Sequence, residues 1–235
     1  NCRGVIFPAI RTGESSLRRE MMYTTEREIR AQFVALNATV AYFEGLKDEI
    51  QNAFDETRSL CVIGCGSSYC IAKSAAKQFT QMSQIPAYAI PAGDLLANLL
   101  DYENFVSNST LLVLSHSGSA SEVLKAAALC KKIYQNKIVS ICAREGSPLE
   151  ALADVNLLLP WAFDESACQT RTVSNLYIAG HLIAAIVSGN DSVFESTRTL
   201  TADAERFCED NEPVLEQIAM QNWAKAVVLA DSAVE

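Results

Sequence analysis

Histidine is nearly absent, with two in 235 residues, and none of the eight cysteines stands in a paired C-x-x-C spacing. A structural zinc site therefore lacks its usual ligand set. Basic blocks are absent too, and the net charge is -9. That excludes a nucleic-acid backbone or an anionic membrane surface as a general partner, so any bound anion must be held locally by oriented donors. No apolar run approaches the roughly 20 residues of a membrane span. The first twenty residues carry Arg3, Arg11, Arg18 and Arg19 around short, broken apolar runs, without the continuous core of a signal peptide. Cysteines set inside apolar patterns then point to a reduced, cytoplasmic protein.

What is present is a globular composition, with 49% hydrophobic and 20% charged residues. Residues 1–23 show no periodicity and stay unassigned. Thr25 and Glu28 have the spacing of a capping box, and Ile29, Phe33, Leu36, Val40, Phe43, Ile50 and Phe54 recur at helical intervals. One long amphipathic helix is expected over 24–57, and its apolar stripe suggests dimerisation.

From Ser59 short apolar runs alternate with helical segments. Strands are expected at Leu60 to Ile63, Ala87 to Ile90, Leu111 to Leu114, Ile138 to Ile141 and Asn156 to Leu159. Helices are expected at Ser68 to Met82, Asp94 to Leu99, Ser121 to Tyr134, Pro148 to Leu152 and Val173 to Ser188, with Ser147 and Pro148 fitting a cap and first helical position. Continuous apolar strands separated by helices make an α/β domain over 58–190, a three-layer αβα sandwich with a five-stranded parallel sheet. Over 191–235 an acidic, polar stretch precedes a helix through Trp223, and Ala226 to Ala230 reads as a lone strand that would open a second α/β unit beyond Glu235.

The third strand runs into Ser115, His116, Ser117, Gly118, Ser119, Ala120, Ser121 and Glu122, where a helix starts. In a parallel sheet this sets four hydroxyls and free backbone amides at the C-terminal edge, where open α/β folds bind ligands. A helix N-terminus favours an anion by up to ~2 kcal/mol, and Gly118 permits close backbone approach. The competing reading is that the serines only cap the helix.

The first strand ends in Gly64, Cys65, Gly66, Ser67 and Ser68. Tyr69 stands where a dinucleotide fold needs its third glycine, and Ile90 and Pro91 end the second strand without a ribose-binding acid, which counts against NAD. Cys65 is either a reactive thiol near a helix N-terminus or a small buried filler. A third loop, Trp161 to Arg171, carries Asp164, Glu165, Ser166, Gln169 and Thr170. It either closes over the same edge or serves only as a polar helix entry.

Together the three loops resemble the SIS, or sugar isomerase, domain over roughly Thr25 to Ser188. Within that family the chain is similar to the isomerase half of glucosamine-6-phosphate synthase and to the tagatose or galactosamine 6-phosphate isomerase and deaminase group. The resemblance implies a flavodoxin-like sheet and a phosphate held by Ser115, His116, Ser117, Gly118, Ser119 and Ser121. Here His116 stands for the family's glutamine, and Ala120 lacks its threonine hydroxyl. It further implies a sugar held by Gly66, Ser67, Ser68, Ala167, Gln169 and Thr170.

The implied chemistry is proton transfer between C1 and C2 of a hexose or amino-sugar 6-phosphate, by an isomerase or deaminase, with no metal and no organic cofactor. In the synthase the groups of isomerisation lie in a second domain, so no catalytic base is assigned. Glu165 and Glu122 are candidates for substrate contact. The alternative is a sugar-phosphate sensor that binds without turnover.

Overall fold

The computed structural model describes residues 23–225. The strand expected at Ala226 to Ala230 and nearly all of the leader lie outside them. Five parallel strands, β1 (Leu60–Gly64), β2 (Ala87–Pro91), β3 (Thr110–Ser115), β4 (Ile138–Cys142) and β5 (Val155–Leu158), form one sheet in the order β2-β1-β3-β4-β5. This is the flavodoxin-like order, and it reverses between β1 and β3. Each strand lies within two residues of its expected bounds; the central strands, buried on both faces, leave continuous apolar runs, and the half-buried edge strands β2 and β5 remain largely apolar. β1 and β3 are buried throughout.

Alternating side chains feed two cores, as the two-residue period of a strand requires. Leu60, Val62, Leu112, Leu114, Val139 and Ile141 face α1 (Thr24–Gly45), α2 (Lys47–Phe54), α3 (Ser67–Ser83) and α8 (Arg171–Val187). Cys61, Ile63, Leu111, Val113 and Ile138 face α4 (Ala92–Ala97), α5 (Glu103–Val106), α6 (Ser121–Tyr134) and α7 (Pro148–Leu152). The result is the αβα sandwich. Ser147 caps α7 through the Glu150 amide, with Pro148 in the first turn.

The N-terminal segment departs from a single helix. It breaks at Gly45 and Leu46, where the Leu46 amide turns back to the Phe43 carbonyl, and restarts with Asp48 and Glu49 in the first turn of α2. Those acids complement the helix dipole. Thr25 and Glu28 do not form a capping box: α1 begins at Thr24 after Tyr23, with no side-chain cap.

Most of the apolar stripe is covered from within the chain. Leu36, Val40 and Phe43 are buried, and α1 packs on α8 and on α9 (Asp191–Ala219). Three such side chains contribute about 1.5 to 3 kcal/mol each, enough to dock α1 without a second copy. Ile29, at the N-terminal end of the stripe, stays exposed. The acidic stretch after Ser188 is itself helical: α9 is capped by Asn190 through the Val193 amide and continues through Pro213 to Ala219, so Trp223 falls beyond it.

Candidate functional site

The sheet order reverses between β1 and β3, so their C-terminal ends open onto the crevice where such folds bind ligands. Two turns rim it. After β1, a Cβ on Gly64 would stand 2.6 Å from the Ser68 carbonyl carbon and oxygen, and Gly66 has φ +57, so both positions require glycine. Cys65 is exposed rather than a buried filler. Ser68 is buried, whereas Ser67 is exposed and donates to Gln169 Oε1 at 2.9 Å.

After β3 the chain makes a tight turn around Gly118, at φ +61. Its amide donates to Ser115 Oγ at 2.9 Å, and its carbonyl accepts from the Leu149 amide at 3.0 Å. Ser115 is thus a buried brace of the turn. Ser117 Oγ accepts from the Ser119 amide at 3.3 Å and lies 2.9 Å from Ser119 Oγ. The residue before α6 is Ala120, which has no side chain able to cap, so the serine cluster is not there as a helix cap.

The amides of the first turn of α6 are left for other acceptors. Glu122 partly meets that demand. Its carboxylate is held below the usual range by its own backbone amide and by Ser121 Oγ, which donates to it at 3.0 Å. Ser119, Ser121 and Glu122 are exposed, while Ser117 is half-buried.

The Trp161 to Arg171 loop closes against both turns. Gln169 meets Ser67, and the His116 ring stacks on Phe163 with centroids 4.5 Å apart. His116 Nε2 lies 3.1 Å from the Asp164 carbonyl oxygen and 3.3 Å from its amide, donating to one or accepting from the other according to tautomer. His116 thereby joins two loops rather than presenting a free donor at the turn. Asp164 is buried, and its Oδ2 accepts from the amides of Thr170 and Thr172 at 2.8 and 2.9 Å. Its Oδ1 lies 3.8 Å from Arg171 Nε. Glu165, Ala167 and Cys168 are exposed, and Thr170 is half-buried.

Three residues take part here in roles that the sequence did not signal. Ser147 and Cys142 wall the Gly118 turn, and Glu28 accepts from the Glu165 amide at 2.6 Å and the Ser166 amide at 3.2 Å. Among the described residues no group of three or more His, Cys, Asp or Glu could hold a metal ion, and no helix is long and apolar enough to cross a membrane. A hollow of about 550 Å³ lined by Lys131, Lys132, Lys137 and Asp154 lies at the start of β4, on the opposite edge of the sheet. Its Lys131 is committed to Asp154 and the Leu152 carbonyl, and it takes no part in this constellation.

The chain is a flavodoxin-like, doubly wound α/β domain with glycine and serine turns at its strand reversal. The chain belongs to the SIS domain family, whose family model matches residues 54–186. It is similar to glutamine--fructose-6-phosphate aminotransferase [isomerizing] of Buchnera aphidicola, 23% identical over 168 residues, which cover 68% of this chain and 27% of that protein. In fold it is similar to the C-terminal domain of glucosamine-fructose-6-phosphate aminotransferase from Francisella tularensis (TM-score 0.74, 16% identity, 86% of this chain and 60% of that one). Tagatose-6-phosphate ketose/aldose isomerase from Escherichia coli is comparable (TM-score 0.73, 18% identity, 86% and 57%). The chain therefore spans about a quarter of its curated relative and somewhat over half of these solved structures.

Proposed function

We propose that this domain binds a hexose or amino-sugar 6-phosphate at the strand reversal. The phosphate sits on the turn Ser117 to Ser121 at the start of α6, and the sugar lies between Gly66, Ser67 and the loop residues Ala167, Gln169 and Thr170. The observation that carries this reading is the combination at the start of α6: Ala120 in the cap position, first-turn amides met only in part, by the Glu122 carboxylate, and the paired hydroxyls of Ser117 and Ser119 just before them, with Ser121 at the first helical position. Hydrogen bonds to a charged acceptor contribute roughly 1.5 to 3 kcal/mol each, so a few of them offset the absence of a lysine. Ser115 and His116 then act by shaping the turn.

The reaction we infer for the whole protein is isomerisation or deamination by proton transfer between C1 and C2, as the names of its relatives suggest. Glu122 is held ionised and accepts a proton weakly, which disfavours it as the base; Glu165 remains a contact candidate. The cytoplasm and a homodimer are the setting we propose.

The test is thermal unfolding of the chain with a panel of hexose and hexosamine 6-phosphates, each beside its unphosphorylated sugar. A ligand at 100 times its Kd adds about 2.7 kcal/mol, which raises the midpoint by roughly 5 to 11 °C at this length. A shift limited to the phosphorylated sugars supports the reading, and no shift with any of them refutes it. Binding without turnover by the protein would favour the sensor over the enzyme.

A further inference from the structure

Glu28 is a buried carboxylate near the start of α1, at 5% exposure, and it takes part in no ion pair among the described residues. Its partners all belong to one short stretch. The amides of Glu165 and Ser166 donate to its Oε1, and Ser166 Oγ donates to its Oε2 in a short bond. A carboxylate withdrawn from water without a cation is costly, and only a full set of donors makes it tolerable. An apolar residue would serve simple packing at lower cost, so this arrangement calls for a role in placing what it holds.

What it holds is the outer side of the loop above the strand reversal. α1 grips the base of the loop through Thr39, which accepts from Trp161 Nε1 at 2.8 Å, and grips the start of α8 through Gln32, which accepts from Ser174 Oγ at 2.8 Å. Asp164 ties the far end through the Thr170 and Thr172 amides. Between these anchors lie Glu165 to Gln169, fastened to α1 by Glu28 and to the β1 turn by the bond between Ser67 and Gln169.

We infer that Glu28 is the positioning residue of the sugar-contacting loop, setting Ala167, Gln169 and Thr170 at the height the sugar requires while leaving the phosphate turn alone. This rests on the proposed function, in that these loop residues are taken to meet the sugar. The phosphate turn has braces of its own in Ser115, Leu149 and Ser147, and its tie to the loop, His116 against Phe163 and Asp164, lies before the segment that Glu28 holds, so loss of Glu28 separates two affinities that a general loss of structure would lower together.

The experiment compares fructose 6-phosphate, a hexose 6-phosphate probe, with inorganic phosphate by calorimetry on the wild-type chain, Glu28→Ala and Glu28→Gln. It also follows amide hydrogen exchange at Glu165 and Ser166. Glu28→Ala should weaken the sugar phosphate by about tenfold or more, leave inorganic phosphate within about twofold, and speed exchange at both amides. Glu28→Gln keeps one acceptor for those amides and should recover most of both effects.

A folded Glu28→Ala with unchanged sugar-phosphate affinity overturns the inference, as does an equal loss for both ligands or unchanged exchange. Should Glu28→Ala not fold, Ser166→Ala removes one donor from the same carboxylate and is expected to show the same selective loss in milder form; an unselective loss there overturns the inference equally. A wild-type chain that binds neither ligand refutes the functional reading itself, whereas a binding wild type with an unaffected Glu28→Ala refutes only the role of Glu28.

Discussion

Replacing Gly118 with alanine separates two costs that meet at the β3 to α6 turn. At φ +61 an alanine sits in the left-handed region, which costs about 1 to 2 kcal/mol. Its Cβ would also stand 2.3 Å from Ser147 Oγ, 2.5 Å from Ser147 Cβ and 2.8 Å from Cys142 Sγ. Neither neighbour yields easily, because Ser147 caps α7 and Cys142 ends β4. Forced overlap of this kind adds about 1 to 3 kcal/mol, so the expected loss of stability is about 2 to 5 kcal/mol and the fall in Tm roughly 4 to 20 °C.

Gly146 supplies the control, since its φ of +64 is nearly the same but an added Cβ meets nothing within 4 Å. Gly146→Ala should show only the conformational part. Urea unfolding of the wild type and both variants, followed by circular dichroism, measures the difference, and calorimetry with a hexose 6-phosphate reports whether the displaced turn still binds. If Gly118→Ala is no more destabilising than Gly146→Ala, the turn is not locked between Ser147 and Cys142, and the account of why glycine stands there fails.

Ser117→Ala should weaken binding of a hexose 6-phosphate by about 1 to 3 kcal/mol, because a charge-assisted donor is lost from a half-buried position; calorimetry that finds unchanged affinity removes Ser117 from the site. His181, in α8, has a buried Nδ1 with no hydrogen-bond partner among the described residues, and burial pushes its pKa below the ordinary 6.5. The unfolded chain therefore binds that proton more readily. The stability His181 contributes as the neutral ring is intact above about pH 6.5 and is lost as pH falls through that value toward the lowered folded one. Urea midpoints from pH 8 to pH 5 should fall more steeply for the wild type than for His181→Leu, and parallel curves would refute the assignment.

The local chemistry of the chain was enough for its periodic elements. β1 to β5 and α6 and α7 could be read because a buried strand leaves an apolar run and a helix start leaves serine and proline, signals confined to a few neighbouring residues. The serine turn after β3 was legible for the same reason, since a tight turn into a helix depends on glycine and small hydroxyl side chains where it occurs. Tertiary structure decided the rest. Ser68 and Ser115 share residue type with Ser67 and Ser117, yet the first pair is buried and the second is not. His116 pairs with Asp164, 48 positions on, and no local pattern announces it.

The apolar stripe of α1 had to be buried somewhere, but periodicity fixes only the face, and it is α8 and α9 of the same chain that cover most of it. Glu28 marks the boundary most clearly. Its spacing from Thr25 fits a capping box, but its partners are Glu165 and Ser166, 137 and 138 positions away. Spacing governs which residues share a helical turn, whereas the donors a buried carboxylate finds depend on what the folded chain brings beside it.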